Sequence, residues 1–175
     1  MGRRVDGLAF LDSGDYPELA LITHRWEHVR AEALASSAFM SPVDDVRTAT
    51  ATWTVLPFKV EADDAAVFGE DVCAVNRSLA PLAVGLVERI TGVEAYSFSN
   101  LAAGGEIAAH RHHREFATAA LCLVGGSNAV LYVGDEKRVY CDGEWLIFDY
   151  TKVHRVVNGG PLSRLVLLVL LPLKR

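Results

Sequence analysis

Four histidines are placed to do chemistry: His110, His112 and His113 in the run HRHH, and His154 in FDYTKVH. On a strand, side chains alternate, so His110 and His112 share one face while His113 points the other way. Two imidazoles on one inward face make a ready metal pair. His154 follows His110 by 44 residues, and a barrel can return its strand beside the first. Three neutral imidazoles, or two with a carboxylate, bind one face of an Fe(II) and leave positions open for substrate and O2. The competing reading is an exposed polar strand end with an unrelated loop histidine.

Arg164 comes ten residues after His154 and interrupts an otherwise apolar strand. A guanidinium inside such a strand demands a buried anion, because an unpaired buried charge is expensive. Its rigid fork suits a carboxylate. The alternatives are a surface arginine just before the strand submerges, or one paired with an internal Asp or Glu. His24 and His28 are four apart with no HExxH or carboxylate partner, and they read as two surface histidines on a helix.

The elements that must position these groups change character along the chain. Leu19, Ile22, Trp26, Val29 and Leu34 fall near helical spacing, so Pro17 to Phe39 holds one or two amphipathic helices. Thr50 to Val60 is β-branched and aromatic, a strand interrupted by Pro57. A helix is expected from Asn76 through Ile90, with Gly92 at its C-cap. From Val93 onward, short Val-, Ile-, Leu-, Phe- and Tyr-rich runs recur between the turn signals AAGG, GGSN, VGDE, CDGE and NGGP. Many short strands at this spacing suggest an antiparallel sandwich or barrel. No repeat or linker divides the 175 residues, so one domain is expected, with residues 1–92 a mostly helical framework outside a barrel of residues 93–175.

Composition narrows the function. Half the residues (51 %) are apolar, 22 % are charged, and the net charge is −5. That excludes a disordered tail, a fibre and a coiled coil, and it gives no footprint for nucleic acid or an anionic membrane. Three scattered cysteines (Cys73, Cys122, Cys141), with no CxxC pair, exclude a zinc ribbon, a disulfide scaffold and a thioredoxin-like site. The N-terminus has no secretory h-region. The run Leu165 to Pro172 is far shorter than the roughly 20 residues of a membrane helix. A cytoplasmic protein is expected.

Three segments together, FSNLAAGGEIAAH (98–110), DGEWLIFDYTKVHRVVN (142–158) and RLVLLV (164–169), resemble the aspartyl/asparaginyl β-hydroxylase family over roughly residues 93–172. The resemblance implies an α+β, mainly β fold: a double-stranded β-helix (jelly-roll, cupin-like) core with N-terminal helices packed outside. It implies an Fe(II)- and 2-oxoglutarate-dependent oxygenase, in which His110 and His154 match the iron histidines. Arg164 matches the residue that anchors the far carboxylate of 2-oxoglutarate, and Ser99 a position that helps hold it. Trp145, Phe148 and Asp149 match the stretch leading into the second histidine, and are expected to serve structure and ligand orientation.

The chain also departs from the family's pattern. Where the vertebrate-type enzymes have glycine two residues after the first histidine, this chain has His112, which could complete a three-histidine site. The Arg and His expected on the next strand correspond to Ala119 and Leu121, so half of the carboxylate grip is missing. The spacing also resembles a cupin: Gly104, the HxH and nearby Glu115 approach its first motif, and Gly143, His154 and Asn158 echo its second. Glu115 shares His113's face by odd–even count unless a bulge intervenes, and is a weaker metal candidate than His112. Two functions follow. The first is a 2-oxoglutarate-dependent hydroxylase acting on an amino acid or other small metabolite, with O2 as co-substrate and Arg111 or Arg114 near the pocket mouth. The second is a cupin-like metalloprotein: a 2-oxoglutarate-independent dioxygenase, an isomerase or a ligand-binding protein.

Overall fold

The structure is a computed structural model that describes residues 8–43, 53–61 and 69–174. Its strands are β1 (Phe10–Leu11), β2 (Ser41–Pro42), β3 (Trp53–Lys59), β4 (Ala95–Leu101), β5 (Glu106–His110), β6 (Phe116–Val124), β7 (Ala129–Val133), β8 (Glu136–Val139), β9 (Trp145–Asp149), β10 (His154–Asn158) and β11 (Arg164–Pro172). They form two antiparallel sheets, ordered β1-β9-β6-β11-β4-β3-β2 and β5-β10-β7-β8.

The pairings explain the winding. Strand β4 lies beside β11, β5 beside β10, β6 beside β9 and β7 beside β8. The second half of the barrel therefore retraces the first in reverse, turning back at the two-residue link Gly134–Asp135, where Gly134 takes φ +55°. That double ribbon, coiled over two facing sheets, is a double-stranded β-helix.

The apolar run of β11 has no polar alternation because both of its faces are covered. Leu165, Leu167, Val169 and Leu171 pack with Phe58, Phe98 and the helices, whereas Val166 joins Leu101, Cys122 and Leu131 inside the barrel. Truncating a fully buried leucine such as Leu167 to alanine costs about 2–5 kcal/mol. At the start of β11, Gly125 (φ +79°) comes so close to the Ser163 carbonyl and the Arg164 backbone that no Cβ would fit. The end of β6 can thus lie against the point where Arg164 enters the barrel.

The helical expectations need two corrections. The helix expected over Asn76–Ile90 is two helices, α3 (Glu70–Arg77) and α4 (Pro81–Val87), labelled after α1 (Ala20–Thr23) and α2 (Trp26–Ala35). Pro81 opens α4, as its fixed φ and missing N–H favour, and Ala80 is non-helical. No side chain of its own caps α4; instead Glu32 on α2 accepts hydrogen bonds from Leu82 N and Ala83 N, each at 2.8 Å. The first half also adds β1 and β2 to the strand expected over Thr50 to Val60, which is β3, and all three join the larger sheet. Pro57 is tolerated because β2 pairs only with Thr54 and Val55, leaving that side of β3 unpaired at Pro57. Thr50, Ala51 and Thr52, at the start of the expected strand, lie outside the described residues. Leu34, expected on the apolar stripe, is exposed, as are His24 and His28.

Candidate functional site

A cavity of about 670 Å³ opens into the barrel between the sheets. His110, His112, His154, Ser99, Tyr140 and Arg164 all line it.

Residues His110 and His154 are brought together by strand pairing. They are direct partners on β5 and β10, with ring centroids 4.3 Å apart. The ladder carries a bulge: His154 pairs with His110, but Val156 pairs with Ile107, so β5 has an extra residue between them. Without it Ile107 and His110 would face opposite ways; the bulge turns His110 into the barrel. Nδ1 of His110 lies 2.8 Å from the carbonyl of Ala108, and Nδ1 of His154 lies 2.8 Å from the carbonyl of Lys152. A carbonyl only accepts, so Nδ1 is the donor in each contact, which in the neutral ring assigns Nε2 as the nitrogen available to a metal.

His112 reaches the same spot by a different route from the one alternation predicts, because β5 ends at His110. Its backbone N donates to the Tyr150 carbonyl at 3.2 Å, and its ring stacks on that of Tyr150 at 3.7 Å and 7°. The ligand atoms of His110, His112 and His154 all lie within 4.8 Å of one another. The family and this cluster point to a metal site, and imidazole donors suit Fe, Zn, Cu or Ni. His113 and Glu115 are exposed and stand outside the cluster.

The residues around the ligands do structural work. Asp149 Oδ1 accepts from both the backbone N (2.9 Å) and the hydroxyl (2.7 Å) of Thr151, fixing the turn that presents the Lys152 carbonyl to His154. Phe148 packs against the His154 ring at 4.8 Å. Trp145 lies on the helix side, donating to Thr23 Oγ1 at 2.9 Å. Asn158 is fully buried, and its Nδ2 donates to the carbonyls of Leu101, Ala102 and Leu162, so it clasps loops rather than facing a ligand. At the mouth, Tyr150 donates to Glu61 at 3.1 Å while Arg114 bridges Glu61 and Glu94; Arg111 is exposed. Sequence reasoning missed Glu61 and Tyr140, which no motif marks, and gave no role to Tyr150 within FDYTKVH.

Arg164 is 2 % exposed, yet among the described residues no carboxylate pairs with it. It donates to Tyr140 Oη at 3.3 Å and weakly to Ser99 Oγ at 3.5 Å, and its Nε has no partner among the described residues. Trp53 Nε1 also donates to Ser99 Oγ, at 2.9 Å. Both hydroxyls act here as acceptors, which leaves their own protons to be donated. Burial pushes the Tyr140 phenol up, against the pull of Arg164, so it stays a donor. A guanidinium with two hydroxyls beside it offers the kind of donors that an anion takes.

Residues 23–172 match the family described as Aspartyl/Asparaginyl beta-hydroxylase. The chain belongs to that family. No curated protein matches it. Among solved structures, a predicted oxalate decarboxylase of Thermotoga maritima is 13 % identical, with a TM-score of 0.49 over 77 % of this chain and 92 % of that one. A cupin 2 conserved barrel domain protein from Rhodopseudomonas palustris is 10 % identical, with a TM-score of 0.49 over 78 % and 72 %. A Klebsiella pneumoniae protein with a double-stranded β-helix domain is 23 % identical, with a TM-score of 0.40 over 45 % and 66 %.

For this member of the β-hydroxylase family, one expected correspondence fails. Ala119 and Leu121 belong to the cluster under the helices, so they do not face the cavity. The inward positions of β6 are Thr118, Ala120 and Cys122. None is a cation, so Arg164 has no second arginine or histidine beside it on this strand. Among the described residues no helix is long and apolar enough to cross a membrane.

Proposed function

We propose that the chain is an Fe(II)- and 2-oxoglutarate-dependent oxygenase that hydroxylates an amino acid or other small metabolite at an unactivated carbon. The observation carrying this reading is that a buried guanidinium, with no carboxylate partner among the described residues, shares a cavity with three converging imidazoles. His110 and His154 would hold the iron, with His112 completing a three-imidazole set. Arg164, Ser99 and Tyr140 would hold the far carboxylate of 2-oxoglutarate. Iron loaded with 2-oxoglutarate and O2 supplies an oxidant strong enough to take hydrogen from a C–H bond, releasing succinate and CO2.

The chain's own part is orientation and exclusion of water. The Ala108 and Lys152 carbonyls fix the imidazole planes. The Tyr150 ring holds His112 in place. The desolvated floor around Arg164 strengthens its hold on an anion, because the low dielectric there screens charge poorly.

A candidate ligand set of three imidazoles and the lack of a second cation on β6 favour one other reading, a cupin-like metalloprotein that does not use 2-oxoglutarate. Anaerobic titration with Fe(II), then 2-oxoglutarate, separates the two. The oxygenase reading expects a visible metal-to-ligand charge-transfer band that saturates at one equivalent, followed by succinate on admitting O2. No band and no succinate would overturn it in favour of the second.

A further inference from the structure

Two buried side-chain atoms make no hydrogen bond among the described residues: Arg164 Nε and Thr118 Oγ1. Thr118 is 4 % exposed, and it lines the same cavity. Orphaned buried polar atoms are rare, and each needs an explanation. Arg164 has one in the proposed co-substrate. Thr118 does not share it. Ser99, which accepts from Arg164, sits opposite Val166 on β11, whereas Thr118 sits opposite Leu170. Four residues of strand separate those levels, about 13 Å at roughly 3.3 Å per residue. A five-carbon diacid held at Arg164 is shorter than that.

Thr118 lies instead at the histidine end. Its partner on β9 is Phe148, whose ring touches His154. Around it are the apolar side chains of Leu168, Leu170 and Phe148. The other charged residues lining the described cavity are already engaged: Lys59 with the Val93 carbonyl, and Glu61 with Tyr150 and Arg114. An ionised substrate group beside Thr118 would be desolvated without a counter-charge.

Building on the oxygenase reading, we propose that Thr118 is a substrate-positioning residue, and that the substrate offers it an uncharged hydrogen-bonding group, an amide or alcohol, on an apolar body. An aspartyl carboxylate does not suit this end of the cavity, because β6 turns a hydroxyl and no cation into it.

The test uses Fe(II)-loaded protein held anaerobically with 2-oxoglutarate, and four probes of equal chain length: hexanamide, 1-hexanol, hexanoate and hexylammonium. Binding is read by calorimetry and by the shift in unfolding midpoint. The amide and alcohol should bind the wild type and the two ions should not. Thr118→Val should weaken the neutral probes roughly tenfold, the worth of one buried hydrogen bond, and Thr118→Ser should restore them. Without probe, Thr118→Val should raise the midpoint by about 2–4 °C, because an unpaired buried hydroxyl is removed. Failure of the neutral probes to bind the wild type, equal binding to Thr118→Val, or tighter binding of either ion would overturn the proposal. Neutral probes that bind through Thr118 while 2-oxoglutarate does not bind would overturn the oxygenase reading and leave the role of Thr118 standing.

Discussion

His110 and His154 stand opposite each other on β5 and β10, and each gives its Nδ1 proton to the carbonyl two residues before it. The two imidazole rings are thus oriented by the same local device, and both line the cavity. Replacing either histidine by alanine removes one donor and leaves both sheets intact. His110→Ala and His154→Ala should each abolish stoichiometric Fe(II) binding while the far-ultraviolet circular dichroism is unchanged. Retained iron in both variants, measured by elemental analysis, would refute the ligand assignment.

His112 is held by stacking rather than by a strand, so its contribution is separable. Its ring lies flat on Tyr150, and Tyr150→Ala removes that support without touching a nitrogen donor. His112→Ala should lower Fe(II) affinity by more than roughly 100-fold if the imidazole ligates, and Tyr150→Ala by roughly 10–100-fold through lost orientation. Equal, small losses in both variants would mean that His112 only lines the site.

Residue type and spacing made the two facing histidines, Arg164 and the barrel legible in the sequence, because charges and imidazoles interrupting apolar strands leave few explanations. The bulge in β5 was not legible: Ala108 and Ala109 carry no signal of an extra residue. Nor was the facing of β6. In FATAALCLV both faces are buried, so hydrophobic alternation cannot tell Thr118 from Ala119, and a one-residue slip exchanges the two faces. The break between α3 and α4 did have a signal in Pro81, which a helix continuing from Asn76 could not hold in its interior.

Cys122 lies between the barrel core and Asp142, and its thiol is pushed up from 9.0 to about 12, first by burial and then by the Asp142 carboxylate 3.4 Å away. The folded protein keeps this proton where the unfolded chain loses it. Its stabilisation is therefore complete below pH 9 and is lost as pH rises toward about 12. Urea unfolding should show a falling midpoint above pH 9 that is flatter in Cys122→Ala. Iodoacetamide should label exposed Cys141 well before Cys122. Labelling of Cys122 at the rate of Cys141 would contradict this burial.

Among the described residues Arg164 pairs with no carboxylate and its Nε makes no hydrogen bond, which leaves room for an anion to balance its charge. Arg164→Ala should raise the 2-oxoglutarate dissociation constant by about 100-fold or more, since a desolvated charge pair loses about 2–5 kcal/mol when one partner goes. Arg164→Lys should recover part of this, because an ammonium carries the charge but cannot form the planar fork. Arg164→Met should do the opposite to the ligand-free protein. It fills similar volume without a buried charge, so the unfolding midpoint should rise while 2-oxoglutarate ceases to raise it further. Calorimetry of binding and thermal unfolding with and without 2-oxoglutarate measure both arms. Unchanged affinity in Arg164→Ala would remove this residue from the co-substrate site, and a lowered ligand-free midpoint in Arg164→Met would show that the guanidinium is matched within the protein itself.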